Sequence, residues 1–110
     1  MNKICTSIEQ SLKIIELGID VNTADMFYTI IDQGLYLEVK QGIEPSKDDI
    51  PAWSLTALLD VLPKGTRLLK STTDDTYHCD CPKENIDKWF DNSVDACYEM
   101  ILKLHELKKL

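Results

Sequence analysis

The sequence predicts a single α+β domain with three helices and about four strands in a mostly antiparallel sheet. The predicted order is helix, two strands, helix, two strands, helix. Three observations support this fold class. The chain has 110 residues, a length typical of one domain. Apolar residues recur at helical spacing in three segments and alternate with polar residues between them. No internal repeat, low-complexity tract or linker divides the chain.

The first helix is predicted over residues 6–17. Thr6 and Glu9 have the spacing of a capping box, in which each side chain satisfies an unpaired backbone N–H at the helix start. Gly18 follows where a left-handed residue commonly ends a helix. The face expected to be buried consists of Ile8, Leu12 and Ile15, widened by Ile14 and Leu17.

The next segment, MFYTIIDQGLYLEVK, predicts a β-hairpin. A two-residue turn at Gln33-Gly34 would pair Ile30 with Leu37 and Tyr28 with Val39. Leu35 would share their face, so this register gives one continuous apolar side. Residues 41–50 follow as a polar loop.

A second helix is predicted within DDIPAWSLTALLDVLP. Ser54 is the expected N-cap, which places Trp53 and Leu58 at the two positions of a hydrophobic staple. Pro63 ends the helix after Leu62. This local pattern predicts that Trp53 is a core residue rather than an anchor for a ligand. The apolar stripe is Leu55, Leu58, Leu59 and Leu62.

The segments TRLLKS and TYHCDC predict two further strands, with the polar TTDD between them as a turn. A last helix is expected over residues 93–107, capped by Asn92 or Ser93. Its predicted buried face consists of Val94, Cys97, Tyr98, Ile101 and Leu104.

The charge balance argues against direct binding to nucleic acids or anionic membranes. The net charge is -7, the isoelectric point is about 4.7, and Arg67 is the single arginine. The N-terminal MNKICTSIEQ lacks the apolar run of a signal peptide. We therefore expect a cytoplasmic protein whose four cysteines are reduced thiols.

Two segments, ICTSIEQSLKIIELGIDVNTADM and DIPAWSLTALLDVLP, resemble a group of small proteins of gut Bacteroides and related bacteria. Members of this group are carried on prophages or other mobile elements. The resemblance extends over most of the chain and implies a compact fold in a mobile genetic setting. It assigns no catalytic or binding residue. Its clearest markers are Thr6, Glu9, Gln10, Ser11, Gly18, Ala24, Asp25, Met26, Pro51, Trp53, Ser54 and Pro63.

The HCDC segment at residues 78–81 contains the best metal-ligand types in the chain. On a strand, however, Cys79 and Cys81 point to one face and His78 to the other. This geometry also separates His78 from Cys79 as a base and nucleophile. We therefore expect no metal, no cofactor and no catalytic residue.

The acidic residues are concentrated in one segment. From Asp74 to Glu99 there are eight acidic residues and two lysines, a net charge of -6. Asp87, Asp91 and Asp95 recur every fourth residue, so an unbroken helix would align them in a stripe. Capping residues near Asn92 predict instead that the helix starts after Asp91. These three aspartates are the candidate partner contacts.

Because the sequence shows no usable chemical site, we expect a non-catalytic cytosolic accessory protein that binds another protein. One alternative is an acidic mimic of nucleic acid that blocks a basic DNA-binding protein through the aspartate stripe. The other is a small enzyme whose site has no sequence signature.

Overall fold

The computed structural model describes residues 3–40 and 45–110. The three helices are α1 (Ile8–Glu16), α2 (Leu55–Val61) and α3 (Ser93–Glu106). The six strands are β1 (Met26–Ile31), β2 (Gly34–Val39), β3 (Ile50–Ala52), β4 (Arg67–Lys70), β5 (Tyr77–Cys81) and β6 (Glu84–Asn85). A short 3-10 turn, Val21–Thr23, precedes β1.

The strands form two antiparallel sheets of three strands each, in the orders β2-β1-β3 and β4-β5-β6. The predicted α+β class and the three helices are confirmed. The expected single sheet of about four strands and the expected element order are not confirmed: the two hairpins lie in separate sheets, and β3 and β6 add one short strand to each. Pro51 stands at the centre of β3 opposite Phe27. A proline fits there because β3 is an edge strand and this pair makes no ladder hydrogen bond.

Helix α1 begins two residues later than predicted and has a different cap. Ser7 is the N-cap: its hydroxyl accepts from the Gln10 backbone N–H, and the Gln10 side chain accepts from the Ser7 N–H. The predicted Thr6–Glu9 box is therefore wrong. Thr6 is fully buried instead, and its hydroxyl lies 2.7 Å from that of Ser11.

The buried face of α1 also differs from the predicted one. Ser11 and Ile14 are buried, whereas Leu12 is half exposed. Ser11 faces inward, where its hydroxyl meets that of Thr6, and Leu12 faces solvent. The end of the helix is as predicted: Gly18 has a φ of 87°, in the left-handed region that glycine adopts at little cost.

The hairpin β1–β2 forms in a register two residues away from the predicted one. Its turn residues are Asp32 and Gln33, both with positive φ, and Ile31 pairs with Gly34 across them. Positive φ at both turn positions defines the turn type that matches strand twist. A shift of two residues preserves the faces, so the predicted grouping of Tyr28, Ile30, Leu35, Leu37 and Val39 on one side is confirmed.

Trp53 is a core residue, as predicted. It has no exposed surface, and its indole N–H donates to the Thr23 hydroxyl at 2.9 Å. Ser54 caps α2 by accepting from the Ala57 N–H, and Leu58 is fully buried in the same cluster as Trp53. Asp25 accepts hydrogen bonds from both the backbone and the hydroxyl of Ser54. The approach to α2 is thus fixed entirely by contacts within the protein.

Helix α3 starts after its predicted cap, Asn92, whose side chain accepts from the Asp95 N–H at 2.8 Å. The helix packs on β5 and α2 and supplies much of the main core. All five side chains of its predicted face are buried, and Ala96 and Met100 widen that face. Among the residues described, no helix combines the length and apolar character needed to cross a membrane.

Candidate functional site

The three aspartates predicted as partner contacts do not lie on one helix. Asp87 and Asp91 are exposed and precede α3, whereas Asp95 lies in its first turn. The expected break near Asn92 is therefore present, and the three carboxylates do not form a helical stripe.

Asp95 belongs to a network that ties α3 to the N-terminal segment. Its carboxylate accepts from Lys3 Nζ at 2.8 Å, from Gln10 Nε2 at 2.8 Å and from Asn92 Nδ2 at 2.9 Å. Partial burial acts to raise the pKa of Asp95, but the hydrogen bonds from Lys3, Gln10 and Asn92 outweigh it and lower the pKa. Asp95 therefore joins two distant parts of the chain.

The HCDC segment forms most of β5, and its side chains alternate between two faces as predicted. Cys79 and Cys81 point into the main core, together with Cys97 from α3. His78 points away from them and stacks on Trp89, with ring centroids 5.1 Å apart. In the described part of the chain, no three His, Cys, Asp or Glu side chains gather around a possible metal position.

Burial and hydrogen bonding affect the acidity of two thiols on β5, Cys79 and Cys81. A hydrogen bond with Cys97, followed by burial, raises the pKa of Cys79 well above its usual range. Burial likewise raises the pKa of Cys81, although a hydrogen bond with Thr66 opposes the shift. Because the thiolate is the nucleophilic form, these shifts weaken both thiols as nucleophiles.

A polar depression of about 610 Å³ opens between the β4 strand and the β5–β6 turn. Arg67 and Asp80 line it, and the guanidinium donates twice to the carboxylate at 3.1 Å. Each member of this pair compensates the charge of the other. The depression is wide and open, and its geometry indicates a surface feature rather than a binding pocket.

The β1–β2 hairpin carries the largest group of exposed apolar side chains on one element. We call this group the hairpin surface. Its members, with their exposed fractions, are Ile30 at 72%, Ile31 at 51%, Leu35 at 52%, Tyr36 at 51% and Val39 at 53%. Single exposed apolar residues are ordinary, but a group on neighbouring strands is a common mark of an interaction site.

The hairpin surface arises because the core covers only one end of the hairpin. Near that end Met26 is buried against Cys5 and Ala52, with Tyr28 and Leu37 partly buried beside them. The Tyr28 hydroxyl donates to the Thr6 carbonyl at 2.8 Å, which holds the N-terminal segment over this end. Beyond that contact the strands continue, and Ile30 opposes Leu35 with little cover.

Both faces of the outer hairpin are apolar. Ile30 and Leu35 lie on the face that continues from Met26, and Ile31 and Tyr36 lie on the opposite face. Val39 shares the face of Met26 but pairs with it, at the covered end of the hairpin. A radius of gyration of 14.4 Å, against about 13 Å expected for a compact chain of this length, agrees with a hairpin that extends from the body.

The sequence predicted the hairpin but not its exposure. The pattern itself contained the relevant feature, because Ile30-Ile31 and Leu35-Tyr36-Leu37 place apolar residues on both faces. A strand in a single sheet layer needs apolar residues on one face only.

Comparisons with known proteins found no matching family model, no similar curated protein and no similar solved structure.

Proposed function

We propose that this chain is a non-catalytic accessory protein of the cytoplasm that binds another protein through the hairpin surface. The observation that supports the proposal is the exposure of five large apolar side chains on one projecting hairpin. Each of these side chains keeps half or more of its surface in water, and a partner would remove that surface from water.

The free energy available from burying these side chains contributes substantially to binding a partner. Complete burial of a large apolar side chain contributes about 1.5–3 kcal/mol, so half-exposed side chains retain roughly 1 kcal/mol each. The three side chains on one face supply about 3 kcal/mol and the two on the other about 2 kcal/mol, against the roughly 8 kcal/mol that corresponds to micromolar affinity. Either face can form the apolar centre of an interface, and further contacts around it must supply the rest.

Three features support this proposal. The first favours a reducing compartment, and the other two favour binding over catalysis. The four cysteines are free and buried. Cys79 and Cys81 have raised pKa values, which oppose a nucleophilic role. His78 faces away from both thiols and stacks on Trp89. The thiols serve as apolar core residues in this proposal.

Affinity capture from a gut Bacteroides lysate tests the proposal. The test variant is Ile30→Thr with Leu35→Thr, which replaces an opposed, exposed pair by residues that suit strands. The matched control is Leu69→Thr, an exposed leucine on β4 of the other sheet. We expect wild type and control to enrich the same protein at least about tenfold over the hairpin variant.

Thermal unfolding of all three proteins checks that the fold is retained. A folded hairpin variant that captures the same protein as wild type would contradict the proposal. Equal loss in the Leu69→Thr control would also contradict it, because the effect would then not belong to the hairpin surface.

A further inference from the structure

We propose that β2 pairs along its free edge with β2 of a second copy of this chain, antiparallel and centred on Leu37. The β2-β1-β3 sheets of the two copies would then join into one sheet of six strands. The inference rests on the proposed protein-binding function of the hairpin and names a second copy as the occupant of the β2 edge.

The hydrogen-bond pattern of the hairpin shows which backbone groups of β2 point away from β1. The Lys40 N–H donates to the Asp25 carbonyl at 3.0 Å, so residues 25 and 40 form a hydrogen-bonded pair. In an antiparallel ladder, such pairs alternate with pairs that make no hydrogen bonds to each other. Tyr36 and Glu38 therefore bond to β1, whereas the N–H and C=O groups of Leu35, Leu37 and Val39 point away from it.

These three outward residues are symmetric about Leu37. A two-fold axis midway between the Leu37 residues of the two copies pairs Leu37 with its counterpart. It also pairs Leu35 of each copy with Val39 of the other. Each pair joins residues on the same face, so the apolar side continues across the junction. On the other face, the same register places Tyr36 opposite Glu38, where a phenol can donate to a carboxylate. If one strand shifted by one residue along the other, side chains of the apolar face would no longer lie opposite one another.

Within the residues that the structure describes, β2 carries few of the usual protections of an edge strand, and the nearest lysine, Lys40, stands just past its end. Such edges are commonly blocked by proline, lysine, a bulge or very short length. The opposite edge of the same sheet, β3, has three residues with Pro51 at its centre. Strand β4 carries Arg67 and Lys70. By contrast, β2 has six regularly paired residues, and Glu38 is its single charged side chain.

The net charge of the chain predicts how the dimer affinity depends on salt, and this dependence distinguishes a second copy from a basic partner. Each chain has a net charge of -7, so two copies repel at long range. Salt screens this repulsion, and the dimer should therefore become tighter as ionic strength rises. A basic partner protein would show the opposite dependence. Pairing of one edge buries limited area, and so we expect a dissociation constant in the micromolar range.

Analytical ultracentrifugation of the purified chain from about 1 to 500 µM tests the proposal, because micromolar dimers dissociate over that range. We expect a monomer–dimer equilibrium that strengthens with salt. Leu35→Lys should weaken it at least tenfold, and so should Val39→Glu, because each places a charge opposite an apolar side chain. The matched control is Leu69→Lys on β4, which should leave the equilibrium unchanged.

The double variant, Leu35→Lys with Val39→Glu, tests the register directly. In the proposed dimer the two changed residues face each other across the two-fold axis, twice per dimer. Within one chain they are four residues apart on one strand and oppose Ile30 and Met26 instead. The double variant should therefore recover most of the wild-type affinity, whereas independent defects would add.

Amide hydrogen exchange gives a second measurement that needs no substitution. The amides of Leu35, Leu37 and Val39 should gain protection as protein concentration rises, while those of Tyr36 and Glu38 are protected throughout. A chain that stays monomeric over the whole range would overturn the proposal, as would a double variant that fails to recover. Either result would leave the capture experiment with Ile30→Thr and Leu35→Thr as an independent test of the proposed function.

Discussion

Trp53 connects three parts of the structure through one side chain. Its indole N–H reaches Thr23 before β1, its backbone exchanges hydrogen bonds with Thr6, and its ring lies in the main core. Thr6 N–H donates to the Trp53 carbonyl at 2.9 Å, and the Trp53 N–H donates to the Thr6 hydroxyl at 3.1 Å. A residue with these contacts is fixed by its packing and not by a ligand.

We expect Trp53→Ala to lower the free energy of unfolding by about 3 kcal/mol, since it removes a fully buried aromatic ring and leaves a cavity. Denaturant titration measures this change. Trp89→Ala is the matched control, because Trp89 is 45% exposed. This substitution should lower the free energy of unfolding by less than about 1 kcal/mol. Equal effects of the two substitutions would contradict the core assignment of Trp53.

Asp95 has a structural role that the two aspartates before it lack. We expect Asp95→Asn to lower the free energy of unfolding by about 1 kcal/mol, the upper range for a solvent-accessible ion pair. The combined change Asp87→Asn and Asp91→Asn should have a smaller effect, because both side chains are exposed. Denaturant titration at pH 7 compares the variants.

The contribution of Asp95 should depend on pH. Its pKa is lower in the folded protein than in the unfolded chain, so the ionised form favours folding. The contribution is fully present above the usual carboxyl pKa near 4 and disappears as pH falls through the lower, folded value. The difference between wild type and Asp95→Asn should therefore vanish in strong acid. A difference that stays constant down to pH 2, to within about 0.3 kcal/mol, would contradict this role.

At the scale of elements, the hairpin turn is held in a conformation that its residues do not favour. Asp32 and Gln33 have φ values of 49° and 67°, in a region that costs most residues about 1 kcal/mol or more. Gly34, the residue expected in the turn, lies on the strand instead. There a Cβ would stand 2.8 Å from the ring of the exposed Tyr36, so a larger residue would displace that ring.

Replacement of the turn by Asp32→Asn with Gln33→Gly should stabilise the protein by about 1 kcal/mol, because Asn-Gly is the preferred pair for this turn type. The melting temperature should rise, and Gln33→Gly alone should give most of the increase. An unchanged or lower melting temperature would indicate that the turn adopts a different conformation in solution.

The sequence predicted elements well where local chemistry determines them. Ser54 and Asn92 cap α2 and α3, and Gly18 ends α1, because each makes its contact within a few residues. The cap of α1 was predicted wrongly because the Thr6 hydroxyl accepts a hydrogen bond from the backbone N–H of Trp53, which is distant in sequence. Strand β3 was missed because three residues around a proline have no strand pattern of their own; β1 provides the hydrogen bonds that define it. The exposure of the hairpin likewise depends on which elements cover it.

At the scale of the whole molecule, the apolar interior has two parts of unequal size. The main core joins α2, α3 and β5, while Cys5, Met26 and Ala52 form a small separate cluster under the first sheet. The hairpin surface extends from the small cluster. The region proposed to bind another protein is therefore attached to the less extensively packed half of the molecule, where local opening costs less free energy.

The division of the interior also distributes the four cysteines, with Cys5 in the small cluster and the other three in the main core. All four are shielded, so an alkylating reagent can modify each only when its surroundings open. In pulsed alkylation followed by mass spectrometry, Cys5 should acquire its label several times faster than Cys97. One common rate for all four would mean that the two halves unfold together, and the sulfur atoms would then report a single cooperative transition.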